Sequence, residues 1–399
     1  MQLLSRQVGG YLQNSSWIRR MFEAGIELKK KHGADQVYDF SLGNPDLPAP
    51  AKVRHALHLL AEAADQPFTF GYMPNAGHPD VRAALAAFLA REQSVALRDE
   101  QVMLTCGAAG GLNVFFRAVL EAGDEVVCPA PYFVEYGFYV ENYGGVLRPA
   151  RSRPLTFELD LDAIERAITP KTRAVLINSP NNPTGEVYPR AEILALARIL
   201  EKHSRGRTRP IFLVSDEPYR FLAYDGIEIP PVLPVYRYSI VIGSFSKSLS
   251  LAGARIGYIA LNPEIPEVET LMSGLILANR ILGFVNAPAI GQHLLRHALG
   301  SGVEVSVYDR RRHAMARVLT EAGYVFSMPK GAFYFFPQIP VGEDDTAFVK
   351  LLLDERVLAV PGCGFGYPGY FRLAFCTHQT VIEKAADGFR RAAVKARGG

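Results

Sequence analysis

The stretch SFSKSLSLAGARIGY, from Ser244 to Tyr258, sets a single lysine, Lys247, among small hydroxyl residues and a single arginine, Arg255, eight positions later. Residues this small let backbone come close to a ligand. A lysine amine is a nucleophile once burial or nearby cations hold it deprotonated. Ser244 and Arg255 offer a hydroxyl and a guanidinium suited to one phosphate. A second segment, TCGAAGG (Thr105 to Gly111), joins a strand to a helix and leaves the amides of Ala108 and Ala109 free to meet an anion at the helix N-terminus. In SDEPY, Asp216 ends an apolar strand, where a carboxylate is costly unless a cation or strong donor meets it. In NSPNNPTG, the dense turn around Asn182 and Pro183 aims an amide side chain toward the same strand ends.

These segments need a scaffold that brings them together. QVMLTC, DEVVCPA, TRAVLINSP, RPIFLVSDEP, YSIVIGS and RIGYIAL read as strands, with helices through LNVFFRAVLEAG, from about Val134, and around Glu192 to Lys202. The strands are continuous apolar runs, the pattern of a mostly parallel sheet covered by helices on both faces. Ligands of such α/β sheets bind at the carboxyl ends of the strands, where the segments above fall. Past about residue 285, helical stretches at Ile290–Gly300 and Tyr308–Gly323 precede the strand-like runs GAFYFFPQ and YFRLAF and a final helix. The expected organisation is an N-terminal arm with part of a small domain (1–49), a large α/β domain (50–288) and a smaller α+β domain (289–399).

Composition narrows the class. Apolar residues make up 49% of the 399 and charged ones 21%, ordinary for a globular protein. The net charge of +3 and the scatter of Lys and Arg argue against nucleic acid or an anionic membrane as partner. The densest basic run, Arg310 to Arg312, reads as a solvated helix face. Cys106, Cys128, Cys363 and Cys376 lie far apart, and buried, reduced thiols are the expected state. The histidines show no metal-ligand spacing, so no metal is expected. No signal peptide or membrane-length apolar run is apparent, which reads as cytoplasmic.

An amine nucleophile, an anion cradle, an acid and an aromatic cover match a phosphorylated aldehyde bound as a Schiff base, and pyridoxal 5′-phosphate fits each group. Nearly the whole chain, from IRRMFEAG to YFRLAF, resembles the class I/II aminotransferases of the fold-type I pyridoxal-phosphate enzymes. The resemblance implies a homodimer with shared active sites that moves the amino group of an L-amino acid to a 2-oxoacid in two half-reactions. It implies that Lys247 carries the Schiff base and shuttles the proton, and that Asp216 pairs with the pyridinium nitrogen. Tyr219 and Asn182 match the partners of the ring hydroxyl oxygen, and Phe133 in APYFVEY matches the aromatic stacked on the ring. Ser244, Arg255, Ala108 and Ala109 match phosphate ligands, and Tyr72 in GYMPNAG matches a tyrosine reaching the neighbouring subunit's cofactor. Arg372 in YFRLAF matches the arginine that holds the substrate carboxylate, with Asn182 beside it and Gly43 in SLGNPD as an opposing backbone contact.

The second carboxylate of a dicarboxylate substrate lacks its expected partners. One subgroup of aspartate enzymes has a lysine where this chain has Ala109, and Arg280 is offset from the arginine that others supply from the neighbouring subunit. A small or apolar L-amino-acid donor is expected, with an oxoacid such as 2-oxoglutarate as acceptor and Trp17 and Ile18 as an apolar lid. The same residues also suit a C–S lyase, and the domain recurs in ligand-sensing regulators.

Overall fold

The computed structural model describes residues 3–13 and 17–398. The side chain of Ile18, expected over the cleft, lies outside the described set. After β1 (Tyr38–Asp39), seven strands build the main sheet: β2 (Val102–Thr105), β3 (Glu125–Ala130), β4 (Val146–Arg151), β5 (Thr172–Asn178), β6 (Phe212–Asp216), β7 (Ser239–Ser244) and β8 (Gly257–Leu261). Their order is β2-β8-β7-β6-β5-β3-β4. Strands β4, β3, β5, β6 and β7 run parallel, while β8 is antiparallel to both β2 and β7. The cause is the link over 245–256, which holds only a short 3-10 turn and so cannot carry the helical crossover that a parallel return requires. That short return loop carries Lys247 and Arg255.

Helices cover both faces, as continuous apolar strands demand. One core packs Leu104, Val127, Val175, Leu213 and Val241 under the helices Pro79–Gln93 and Arg190–Ser204. The other packs Met103, Val126, Leu176, Val214 and Ile242 under Gly107–Val119 and Val268–Ile281. The alternation along each strand between the two lists is the two-residue period of a pleated sheet. Strand β4 was not expected from the sequence: as the sheet's edge it exposes most of its residues, so no apolar run marks it.

The remaining strands are short. β9 (Tyr334–Phe335), β11 (Val360–Pro361) and β12 (Phe371–Ala374) form a three-stranded antiparallel sheet, and β1 pairs in parallel with β10 (Val357–Leu358). A third core joins Met21 and Phe40 to this C-terminal region and takes in Phe157, Tyr219 and Tyr224 from the middle of the chain.

Two expectations are corrected. Arg310 is exposed, but Arg311 and Arg312 are only 5% and 1% exposed. Arg311 forms a two-pronged pair with Asp46 (2.6 and 2.8 Å), and Arg312 does the same with Asp225 (2.8 Å each) and also binds Asp309. A buried guanidinium needs such partners, so the run marks tertiary ion pairs rather than a solvated face. Among the cysteines, Cys128 and Cys376 are buried, but Cys106 is half-buried and Cys363 exposed; all four are free. No described helix is long and apolar enough to cross a membrane.

Candidate active site

Strand register gathers the chemical groups at one edge of the main sheet. Thr105 pairs with Gly257, which pairs with Ser244, while Asp216 pairs with Ile242 and Asn178 with Asp216. The loops leaving these strand ends enclose a cleft of about 330 Å³. Gly43, Ala108, Ala109, Phe133, Asn182, Asp216, Tyr219, Ser244, Lys247, Arg255 and Arg372 all line it. Tyr72 does not: it is 94% exposed, beside Phe68 and Phe70, which are also exposed.

Lys247 Nζ donates to the carbonyl of Gly43 at 2.6 Å and lies 5.7 Å from the Phe333 ring centroid. The Gly43 carbonyl, expected to face a substrate, is therefore engaged by the lysine. Burial lowers the Lys247 pKa to about 8, and the nearby Arg372 and Arg255 guanidinium groups act in the same direction. Asp216 ends β6. Its Oδ2 accepts from the Tyr136 hydroxyl at 2.5 Å, and its Oδ1 is buried with no hydrogen-bond partner among the described residues. Burial raises this carboxyl to about 7, against the Tyr136 hydrogen bond, which favours the ionised form. The Asn178 amide donates to the Asp216 carbonyl at 2.8 Å and fixes the end of the strand.

Glycines shape the wall under Ala108 and Ala109. A Cβ at Gly257 would lie 2.6 Å from the Gly107 carbonyl carbon, 2.6 Å from the Gly243 oxygen and 2.8 Å from the Ala108 nitrogen. The first turn of Gly107–Val119 thus rests directly on β8. Gly107 itself has φ of +72°, and a Cβ there would meet Arg255 Nη2 at 2.9 Å. Arg255 holds a left-handed conformation (φ 51°) and donates to the Ala252 carbonyl at 3.1 Å, which sets its guanidinium beside that helix start.

Arg372, on β12, is 2% exposed. Its Nη1 donates to Asn182 Oδ1 at 3.1 Å and its Nη2 to the Ser41 carbonyl at 2.5 Å, leaving Nε buried without a partner among the described residues. The rings of Tyr334 and Phe365 each lie 4.9 Å from its guanidinium carbon. The Tyr219 and Tyr334 hydroxyls share a hydrogen bond of 2.7 Å. Tyr334 presses so closely on Gly43 that a Cβ there would lie 2.1 Å from its hydroxyl oxygen.

Sequence reasoning missed Tyr136, Tyr334 and Glu135, all of which line the cleft. For the tyrosines a signal was present, because a phenol in an apolar run needs a partner for its hydroxyl. The N-terminal arm packs against the helix Glu135–Glu141 and the turn Gly362–Phe365. Tyr11 donates to Glu141 at 2.6 Å and packs edge-on against Phe138 at 4.6 Å, while Trp17 abuts Gly364, where a Cβ would stand 3.2 Å from its ring.

With this geometry established, likeness to known proteins is informative. Residues 35–389 match the family model described as aminotransferase class I and II. The chain belongs to the class I and II aminotransferases. It is a transferase of amino groups, in a family that works with pyridoxal phosphate. It is 32% identical to the aspartate/prephenate aminotransferase of Thermus thermophilus over 373 residues, 92% of this chain and 93% of that one. An amino transferase from Eubacterium rectale superposes with a TM-score of 0.94 at 37% identity, covering 99% of each chain. The Thermus thermophilus aspartate aminotransferase solved with maleate gives 0.86 at 30% identity, covering 98% of this aminotransferase and 100% of that chain.

Proposed function

We propose that the cleft binds pyridoxal phosphate at Lys247 and moves the amino group of an L-amino acid to a 2-oxoacid. One observation carries the reading: a half-buried lysine whose pKa is lowered toward neutrality shares a cleft with a buried carboxylate that has one oxygen unpartnered among the described residues. The fit extends to the glycine cradle at 107 and 257, which leaves amides and Arg255 accessible to a phosphate. When bound, pyridoxal phosphate supplies an electron sink for the pair left at the substrate Cα.

In this reading Asp216 Oδ1 accepts the hydrogen bond of a protonated ring nitrogen, and Tyr136 keeps the other oxygen in place. Ser244, Arg255 and the amides of Ala108 and Ala109 hold the phosphate, Phe133 covers the ring, and Tyr219 and Asn182 reach its oxygen. Arg372, oriented by Asn182 and the Ser41 carbonyl, takes the substrate carboxylate on its remaining edge. Lys247, whose lowered pKa leaves a substantial neutral fraction near pH 8, removes the Cα proton and returns it on the other side of the exchange. The exposed Tyr72, Phe68 and Phe70 support a homodimer in which Tyr72 completes the neighbour's site. The cleft would then lie between a unit over 50–288 and one made of 1–49 and 289–399.

The described cations lining the cleft are Lys247, Arg255 and Arg372, and each already has a task. No other described cation lines the cleft, which supports an amino donor without a second carboxylate, such as the small or apolar donors expected from the sequence. Titrating the purified enzyme with single amino acids, in the absence of any oxoacid, tests the reading. The visible absorbance of the lysine-linked cofactor should fade stoichiometrically with a good donor, and a band that persists with every amino acid would refute amino transfer.

A further inference from the structure

Glu135 stands apart from the other shielded carboxylates of this chain. Glu125 is held by Arg148 and Thr169, Glu186 by Lys330, Glu217 by Arg220, Ser215 and Gln93, and Glu355 by Arg391 and Lys395. Glu135 is half-buried in the wall of the cleft, two residues after Phe133, and makes no hydrogen bond or ion pair among the described residues. Burial alone perturbs it, raising its pKa, with no charged neighbour contributing. A shielded carboxylate without a partner is costly, and one that lines a cleft is a candidate ligand contact.

We infer that Glu135 is a specificity-determining residue that repels a second carboxylate and accepts a hydrogen bond from an N–H group on the substrate side chain, an amide or an ammonium. The inference rests on the reading of the cleft as the amino-acid site and sharpens it. Beyond the lack of a second carboxylate, Glu135 selects for a donor side chain ending in N–H. Because both half-reactions use the same cleft, dicarboxylate oxoacids are disfavoured as acceptors for the same reason, against the 2-oxoglutarate expected from the sequence. Two like charges a few ångströms apart in a partly shielded cleft repel by enough to shift binding about tenfold.

Succinate and its half-amide succinamate have nearly the same shape and differ by one negative charge. Calorimetric titration of the holoenzyme with each, at pH 8, isolates the effect of Glu135. The wild-type enzyme should bind succinamate about tenfold more tightly than succinate. E135Q should bring the two within about twofold, and E135K should reverse the order. Equal or tighter binding of succinate by the wild type, or a preference unchanged in E135Q and E135K, overturns the role of Glu135. If the enzyme takes up cofactor with its lysine-linked absorbance while the preference fails to change, only Glu135's role falls. If no such absorbance develops, the reading of the cleft falls and takes this inference with it.

Discussion

At the residue scale the site is defined by a half-buried lysine and a buried carboxyl held away from their ordinary protonation. Lys247 titrates at about 8 rather than 10.5. The rate at which the apoenzyme captures pyridoxal phosphate should therefore rise about tenfold per pH unit up to about 8 and then level off, as followed by stopped-flow absorbance. A rate that keeps climbing toward pH 10 would show an ordinary lysine. Asp216 titrates at about 7 rather than 3.8. A carboxyl whose pKa lies above its unfolded value binds its proton more tightly in the native state. Its contribution is thus full below the unfolded value and is lost as pH rises through the folded one. Melting curves of the cofactor-free wild type should fall relative to D216N between about pH 4 and pH 7, and added cofactor should remove most of that difference at pH 8. Arg372 makes a different demand, for planar two-point recognition of a carboxylate. R372K should raise KM for amino donors on the order of a hundredfold, the size of a lost charge-assisted pair, with cofactor absorbance retained.

At the element scale, the return from β7 through the Lys247 loop to antiparallel β8 lets Gly257 support the start of helix Gly107–Val119. G257A forces a methyl against three backbone atoms, a contact no rotamer change relieves. It should cost about 1–3 kcal/mol of stability, read as Tm, and weaken cofactor binding through displaced amides. These elements were unevenly legible in the sequence. Strands β3, β5, β6 and β7 are buried on both faces, so their residues form unbroken apolar runs and announce themselves. The direction of β8 leaves no mark in composition, because it follows from the length of the link before it. Strands of two residues, such as β1 and β10, are too short for any period to show. The site was legible where a residue type is costly outside its role, as with Asp216 at a strand end. Tyr136 and Tyr334 went unseen because their value lies in partners far along the chain: Asp216 in one case and Tyr219 in the other. The charge of Glu135 was plain in the sequence, but its lack of a partner is a property of the folded chain.

At the scale of the whole molecule, two segments outside the cleft bear on assembly: an N-terminal arm at 6–13 and 17–32, and the exposed aromatic stretch at 68–72. Sedimentation should find a homodimer, and replacing Phe68, Phe70 and Tyr72 together by serine should shift it toward monomer and weaken cofactor retention. A wild-type monomer at micromolar concentration would remove Tyr72 from the site. The central claim, however, is that Lys247 bears the cofactor. Borohydride reduction of the enzyme loaded with pyridoxal phosphate, followed by peptide mass mapping, tests it most directly. The account predicts one pyridoxyl group per chain, on the peptide that contains Lys247. Label on another lysine, or no label after reduction, would contradict it.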